Sequence, residues 1–125
     1  MKNVSLIVAM LALLAPAAFA ERIAPAKVTP VVYGGIEYRA PSAHKKMGVV
    51  EAWDKATGKM LWDKKVYNVE IDPNEEEDVQ LVFIKKLEID AGKLIATNEH
   101  NDRYSIDFKT REVTKLNKEE NTRKD

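Results

Sequence analysis

The stretch Ala52–Trp62, AWDKATGKMLW, constrains this chain more than any other. An apolar strand, Val49–Trp53, runs into a polar turn, Asp54–Gly58, and a returning strand, Lys59–Tyr67, carries a second tryptophan. Asp54 can fold its carboxylate onto amides of the turn, and Gly58 can take the positive φ that a turn ending in a bulge requires. The stretch reads as one β-hairpin. It fixes local fold and says little about chemistry.

Residues 1–20 read as an export signal outside the fold. Lys2 supplies a positive start, Val4–Leu14 is an almost unbroken apolar run, and Ala18-Phe19-Ala20 fits a small-x-small cleavage site. A retained anchor is the alternative, but the run is shorter than the ~20 residues of a comfortable membrane span. With no cysteine in the chain, a lipid anchor after the run is excluded. The expected mature chain starts at Glu21 and is periplasmic or secreted, with no stable membrane anchor after cleavage.

Lys and Arg number 20 against 20 Asp and Glu, and the leader removes only Lys2. Such a balanced, well-mixed surface gives no reason to expect nucleic acid or anionic lipid as partner. The absence of cysteine removes thiol catalysis, disulfide exchange and cysteine-based metal sites. Stability must then come from the core alone.

Along the chain, residues 21–30 form an extended lead-in and residues 31–116 a single β-domain. Val31–Arg39 is β-rich, with a bulge or sharp bend expected at Gly34-Gly35. Ala40–Met47 reads as an exposed loop, and Ile71–Asp78 as a turn followed by an acidic run. Val79–Asp90 is the clearest strand, with Val79, Leu81, Phe83, Leu87 and Ile89 on one face and Lys85 out of pattern. Strands at Lys93–Asn98, Arg103–Phe108 and Glu112–Leu116 follow. The tail Asn117–Asp125 carries no apolar residue and is expected to be disordered. No segment has a helical period. The prediction is an all-β antiparallel meander of about seven strands.

The chain also resembles itself. Asp54-Lys55-Ala56-Thr57 and Asp107-Phe108-Lys109-Thr110 share D-x-x-T after a strand, within strand–turn–strand–turn–strand surroundings. Arg111 stands where the first copy has Gly58, and Lys115 where it has Trp62. The first copy further resembles the tryptophan-docking motif of the quinoprotein-like (PQQ-like) β-propeller family, A-x-D-x-x-T-G-K-x-x-W. Ala52, Asp54, Thr57, Gly58, Lys59 and Trp62 fill every specified position. In that family the motif closes a four-stranded blade and its tryptophan packs against the neighbouring blade. A complete propeller needs about 4–8 blades. This length therefore implies two degenerate blade-like units, not a closed propeller. Quinone cofactor, calcium site and dehydrogenase activity do not carry over, and no cofactor is expected. The run from Tyr33-Gly34-Gly35 through Thr110-Arg111-Glu112 also looks like small exported bacterial proteins, a likeness that names no activity.

Candidate chemistry is sparse. The run Asp72, Asn74, Glu75, Glu76, Glu77, Asp78 suggests calcium, but an EF-hand wants Gly at its sixth position and Glu at its twelfth. Here Glu77 and Phe83 stand there, so a solvated loop is the reading. His44 and His100, the latter next to Glu99, fall short of the three or four ligands that zinc needs. Ser42 and Ser105 lack any activated-serine context. Trp53, Trp62, Tyr33, Tyr38, Tyr67 and Tyr104 read as core and cross-strand pairs before a binding face. Trp62 is the expected core member and Tyr38 the expected exposed one. No catalytic, cofactor-binding or metal residue is assigned. The sequence favours a non-catalytic envelope module that binds another protein through an exposed strand edge. The alternative is a small hydrolase or ligand-handling enzyme with a carboxylate and histidine site. Histidines clustered with acids in a pocket would favour that enzyme.

Overall fold

The computed structural model describes residues 27–118. The leader, residues 21–26 of the lead-in and the tail beyond Lys118 lie outside the described residues, as do the expectations placed on them. Eight strands form two four-stranded antiparallel sheets, each a simple meander. The first contains β1 (Val31–Tyr33), β2 (Ile36–Arg39), β3 (Val49–Asp54) and β4 (Met60–Lys65). The second contains β5 (Ile84–Asp90), β6 (Lys93–Asn98), β7 (Arg103–Ile106) and β8 (Val113–Lys115). The first strands of the two sheets, β1 and β5, approach one another. The arrangement is that of two propeller blades without closure.

Eight strands replace about seven because Gly34-Gly35 does more than bend a strand. Both glycines adopt positive φ, 62° and 78°, and β1 folds straight back so that Tyr33 faces Ile36. A two-residue loop with two positive φ values suits the right-handed twist of its flanking strands, and glycine reaches it without strain.

The expected strand Val79–Asp90 is corrected at its start. Asp78–Gln80 is a short 3-10 turn, Leu81–Phe83 belongs to no strand, and β5 begins only at Ile84. Val79, placed on one face with Leu81 and Phe83, is 64% exposed while those two are buried. Leu81, Val82, Phe83 and Ile84 are all buried, which no single alternating face permits. Lys85 is out of pattern for a definite reason. Ile84 pairs with Asn98 and Lys86 with Thr97, so Lys85 is the extra residue of a bulge. The bulge brings both Ile84 and Leu87 to the core despite their odd spacing.

One core joins the two sheets. Tyr38, Val50 and Ala52 from the first meet Leu94, Ala96, Tyr104 and Ile106 from the second in a single buried cluster. Each sheet thus has an inner face in this core and an outer face turned away from it. Tyr38, expected at the surface, is 2% exposed and among the largest fully buried side chains. It sits opposite Ala52, whose small side chain leaves room for the ring. Trp62, expected at the centre, is half-buried and packs against the margin of the same cluster.

Tyr38→Ala should therefore cost about 3–5 kcal/mol, the range for emptying a large aromatic site. Val79→Ala should stay within ~0.5 kcal/mol, as surface changes do. Urea melts of both variants check this, and a wild-type melt for Tyr38→Ala would contradict the placement of the ring.

Candidate functional site

The motif residues build a turn and a docking point. The Asp54 carboxylate accepts from the Ala56 N–H at 2.9 Å, and the Asp54 carbonyl accepts from the Gly58 N–H at 2.8 Å. The Thr57 hydroxyl accepts from the Lys59 N–H at 3.3 Å, and Asp54 N–H donates to the Lys59 carbonyl at 2.8 Å. The second copy repeats this pattern. Asp107 accepts through its carboxylate from Lys109 and Thr110 N–H, and through its carbonyl from Arg111 N–H. Thr110 Oγ1 accepts from Glu112 N–H, as Thr57 does from Lys59. Gly58 and Arg111 occupy the same left-handed position, with φ of 75° and 64°. The repeat suggested by D-x-x-T is thus a repeat of hydrogen bonds.

Trp62 reaches the core face through a shift in register. Trp53 pairs with Met60 and Ala52 with Trp62, which leaves Leu61 unpaired between them. Directly opposed residues share a face, so the extra residue puts Trp62 beside Ala52 and leaves Leu61 49% exposed. The indole lies 5.9 Å from the Tyr38 ring, and the Arg111 guanidinium of the second sheet stands 4.9 Å over it. In the second sheet Ser105 pairs with Thr114 and Tyr104 with Lys115, with no extra residue. Lys115, aligned with Trp62, accordingly falls on the Tyr104 side, its ammonium 6.0 Å from that ring.

The remaining aromatics divide between core and surface. Tyr33 stacks on Phe108 at 4.4 Å and Tyr67 on Tyr104 at 5.2 Å, each pair joining the two halves of the chain. The Tyr67 hydroxyl donates to the Val82 carbonyl at 2.6 Å, and burial pushes this phenol far above its ordinary range. Trp53 instead lies on the outer face of the first sheet, where Arg39 stacks 4.5 Å over it and its Nε1–H donates to Glu51 at 3.0 Å. Around it, Arg39 pairs with Glu37 at 2.7 Å, while Lys46 reaches both Glu51 and Asp63. The hydrogen bond from Arg39 holds the Glu37 carboxyl below its usual range, and those to Asp63 and Glu51 raise Lys46. This network is surface electrostatics, modest in energy.

Nothing gathers the enzyme candidates. His44 meets Glu77 at 3.3 Å with both side chains more than half exposed, and His100 lies in an exposed turn. Ser42 borders a hollow of about 310 Å³ beside Pro30, Arg39 and Glu51, without a histidine. Among the described residues no group of three or more His, Cys, Asp or Glu is placed to hold a metal. The acidic loop is organised by Gln80, which sequence reading overlooked. Its Nε2 donates to the carbonyls of Asp72 and Glu76 at 3.0 Å, and its Oε1 accepts from Asp72 N–H at 2.6 Å. The amide thus occupies the middle of the loop, where a cation would seek those carbonyls.

The architecture defines a pair of propeller-blade-like sheets. Comparison with protein-family models and with curated proteins finds no match. Among solved structures the chain is similar to BamB from Moraxella catarrhalis, with a TM-score of 0.52 and 18% identity. The likeness covers 76% of this chain and 28% of the BamB chain, so this protein spans well under half of that relative's length. At such identity it bears on fold alone, and it supports the blade-like reading.

Backbone N–H groups of Thr110 and Lys109 hold the Asp107 carboxyl below its ordinary 3.8. A carboxylate depressed on folding stabilises fully above that value and loses its contribution as pH falls through the lower folded value. Asp107→Asn should therefore be less stable than the wild type at neutral pH, with the gap closing below pH 3.8. Urea melts across that range check it; a gap independent of pH would contradict it.

Proposed function

We propose that this chain is a non-catalytic, exported binding or scaffolding module of the cell envelope that works through protein–protein contacts. The observation that carries the reading is the outer face of the first sheet. Register lays Val32, Glu37, Trp53 and Met60 in one cross-strand row on that face. Val32 is 52% and Met60 43% exposed, and each stands on an end strand of the sheet, β4 with its edge away from β5 and with Leu61 beside Met60. Exposed apolar side chains beside unpaired backbone groups offer a template for strand addition by another chain. Lys64 and Lys65, farther along β4, discourage indiscriminate pairing and leave the Met60-Leu61 end as the attractive one.

Export rests on the leader-like sequence of residues 1–20. Among the described residues no helix is long and apolar enough to cross a membrane. The alternative of a small hydrolase needs a histidine converging with acids in a concavity. His44 and His100 on the exposed surface give it no support.

The test is photo-crosslinking in living cells, with the photoreactive residue placed at Met60 or, as a control, at exposed Lys109. A discrete adduct from Met60 in the envelope fraction, absent from Lys109, is the expected result. No adduct, or the same adducts from both positions, would contradict the assignment.

A further inference from the structure

We propose that the outer face of the first sheet docks, head to tail, on the outer face of the second sheet of another copy of this chain. This rests on reading the chain as a binding module and names the partner of its first sheet. The two sheets are copies of one unit, and their turns fix which residues correspond. Gly34-Gly35 and Ala91-Gly92 all adopt positive φ between paired strands, and Asp54–Gly58 and Asp107–Arg111 share their hydrogen bonds. One cross-strand row of the first sheet is Val32, Glu37, Trp53 and Met60, and its counterpart in the second is Ile89, Leu94, Ile106 and Val113. The adjacent row is Val31, Tyr38, Ala52 and Trp62, and its counterpart is Glu88, Ile95, Ser105 and Thr114.

Counterpart rows face opposite ways with respect to the core. The core takes the Tyr38 row of the first sheet and the Leu94 row of the second. The sheets therefore stack the same way round, the front of one on the back of the other. Such a contact is heterologous, and a second copy can repeat it. Both halves of the contact recur on the outside. The Trp53 row, counterpart of Leu94 and Ile106, is the outer face of the first sheet. The Ile95 row, counterpart of Tyr38 and Ala52, is the outer face of the second.

The side chains on these two faces suit the repetition. The first offers Trp53 in line with exposed Val32 and Met60. The second holds a hollow of about 530 Å³, lined by Ile95 and Ser105, both nearly buried. Ser105 is small where Ala52 is small, so the middle of the row is open to a bulky side chain from a facing sheet. Within the chain, Tyr33 stacks on Phe108 at 4.4 Å between the two sheets. Tyr33 precedes the glycine turn as Asp90 precedes Ala91-Gly92, and Phe108 follows Asp107 as Lys55 follows Asp54. A second copy stacked in the same way brings Lys55 to Asp90, an aromatic pair replaced by opposite charges. Most other charges on the two faces are answered within their own sheet: Glu88 by Lys86, Lys93 by Asp107, Glu37 by Arg39 and Glu51 by Lys46.

The test is sedimentation of the chain isolated from the envelope fraction, loaded from about 10 µM to about 1 mM, where modest interfaces associate. The wild type should gain mass with concentration. Met60→Glu and Thr114→Glu each alter one exposed position, on opposite faces, and each alone should weaken association about tenfold or more. A one-to-one mixture of the two should form a heterodimer and stop there, because it retains one intact pair of faces. Lys55→Asp and Asp90→Lys should each weaken association severalfold, and both in one chain should restore it. A monomeric wild type, variants that associate as it does, or a mixture that stays monomeric while both variants melt in urea like the wild type would overturn the contact. If either glutamate variant melts early, the charge exchange decides, and a double variant no tighter than its parents overturns the contact. A Met60 adduct with a different protein beside a monomeric wild type would sink this inference alone. Self-association with no Met60 adduct in cells would sink the envelope-module reading alone.

Discussion

The fold depends on the place of Trp62 between the two sheets. Its indole touches Tyr38 of its own sheet and lies under Arg111 of the other, at the margin of the shared core. An aromatic pair of this kind contributes about 0.5–1.5 kcal/mol beyond its buried area, and a cation over an indole about 0.5–2 kcal/mol. Arg111 holds a left-handed backbone conformation, which costs a non-glycine residue on the order of 1–3 kcal/mol. The hydrogen bond closing its turn at 2.8 Å and the contact with Trp62 offset that cost. Gly58, in the equivalent turn, meets no such ring and has no side chain to strain.

Much of this was legible in the sequence, and the errors have physical causes. The D-x-x-T repeats foretold two turns because an aspartate folding back onto amides is a local act. The strand within Arg103–Phe108 is legible because β7 is regular, with Tyr104 and Ile106 both on its core face. Tyr38 was misplaced because its burial depends on Ala52, opposite it on the neighbouring strand but fourteen residues on in sequence, out of reach of any local signal. Val79–Phe83 was misread because alternation persists in the letters while the backbone turns through a short 3-10 segment. Bulges at Lys85 and Leu61 shift the faces of everything beyond them, and no residue type announces a bulge of this kind. Gln80 was invisible for another reason. A side-chain amide satisfying backbone carbonyls several positions away leaves no pattern in composition.

Two blades packed together leave two outer faces, and these differ in chemistry. The first presents Val32, Trp53 and Met60 in a self-paired network of charges, in which Glu37, Arg39, Glu51 and Lys46 answer one another. The second sets Glu88, Ile95, Ser105 and Thr114 in one cross-strand row, with Lys86, Asp90, Lys93 and Arg103 around it. A surface whose charges are satisfied internally suits contact through apolar side chains and strand edges.

The central claim is that Trp62 couples the two sheets into one cooperative unit. Native-state hydrogen exchange measures this directly, by comparing the amides of Val50 and Ala52 with those of Leu94, Ala96 and Ile106. In the wild type the two sets should open with the same free energy and the same denaturant dependence, as members of one unfolding unit. In Trp62→Ala they should separate, with one sheet opening before the other. Two sheets that already exchange independently in the wild type, or that remain coupled in Trp62→Ala, would contradict the account.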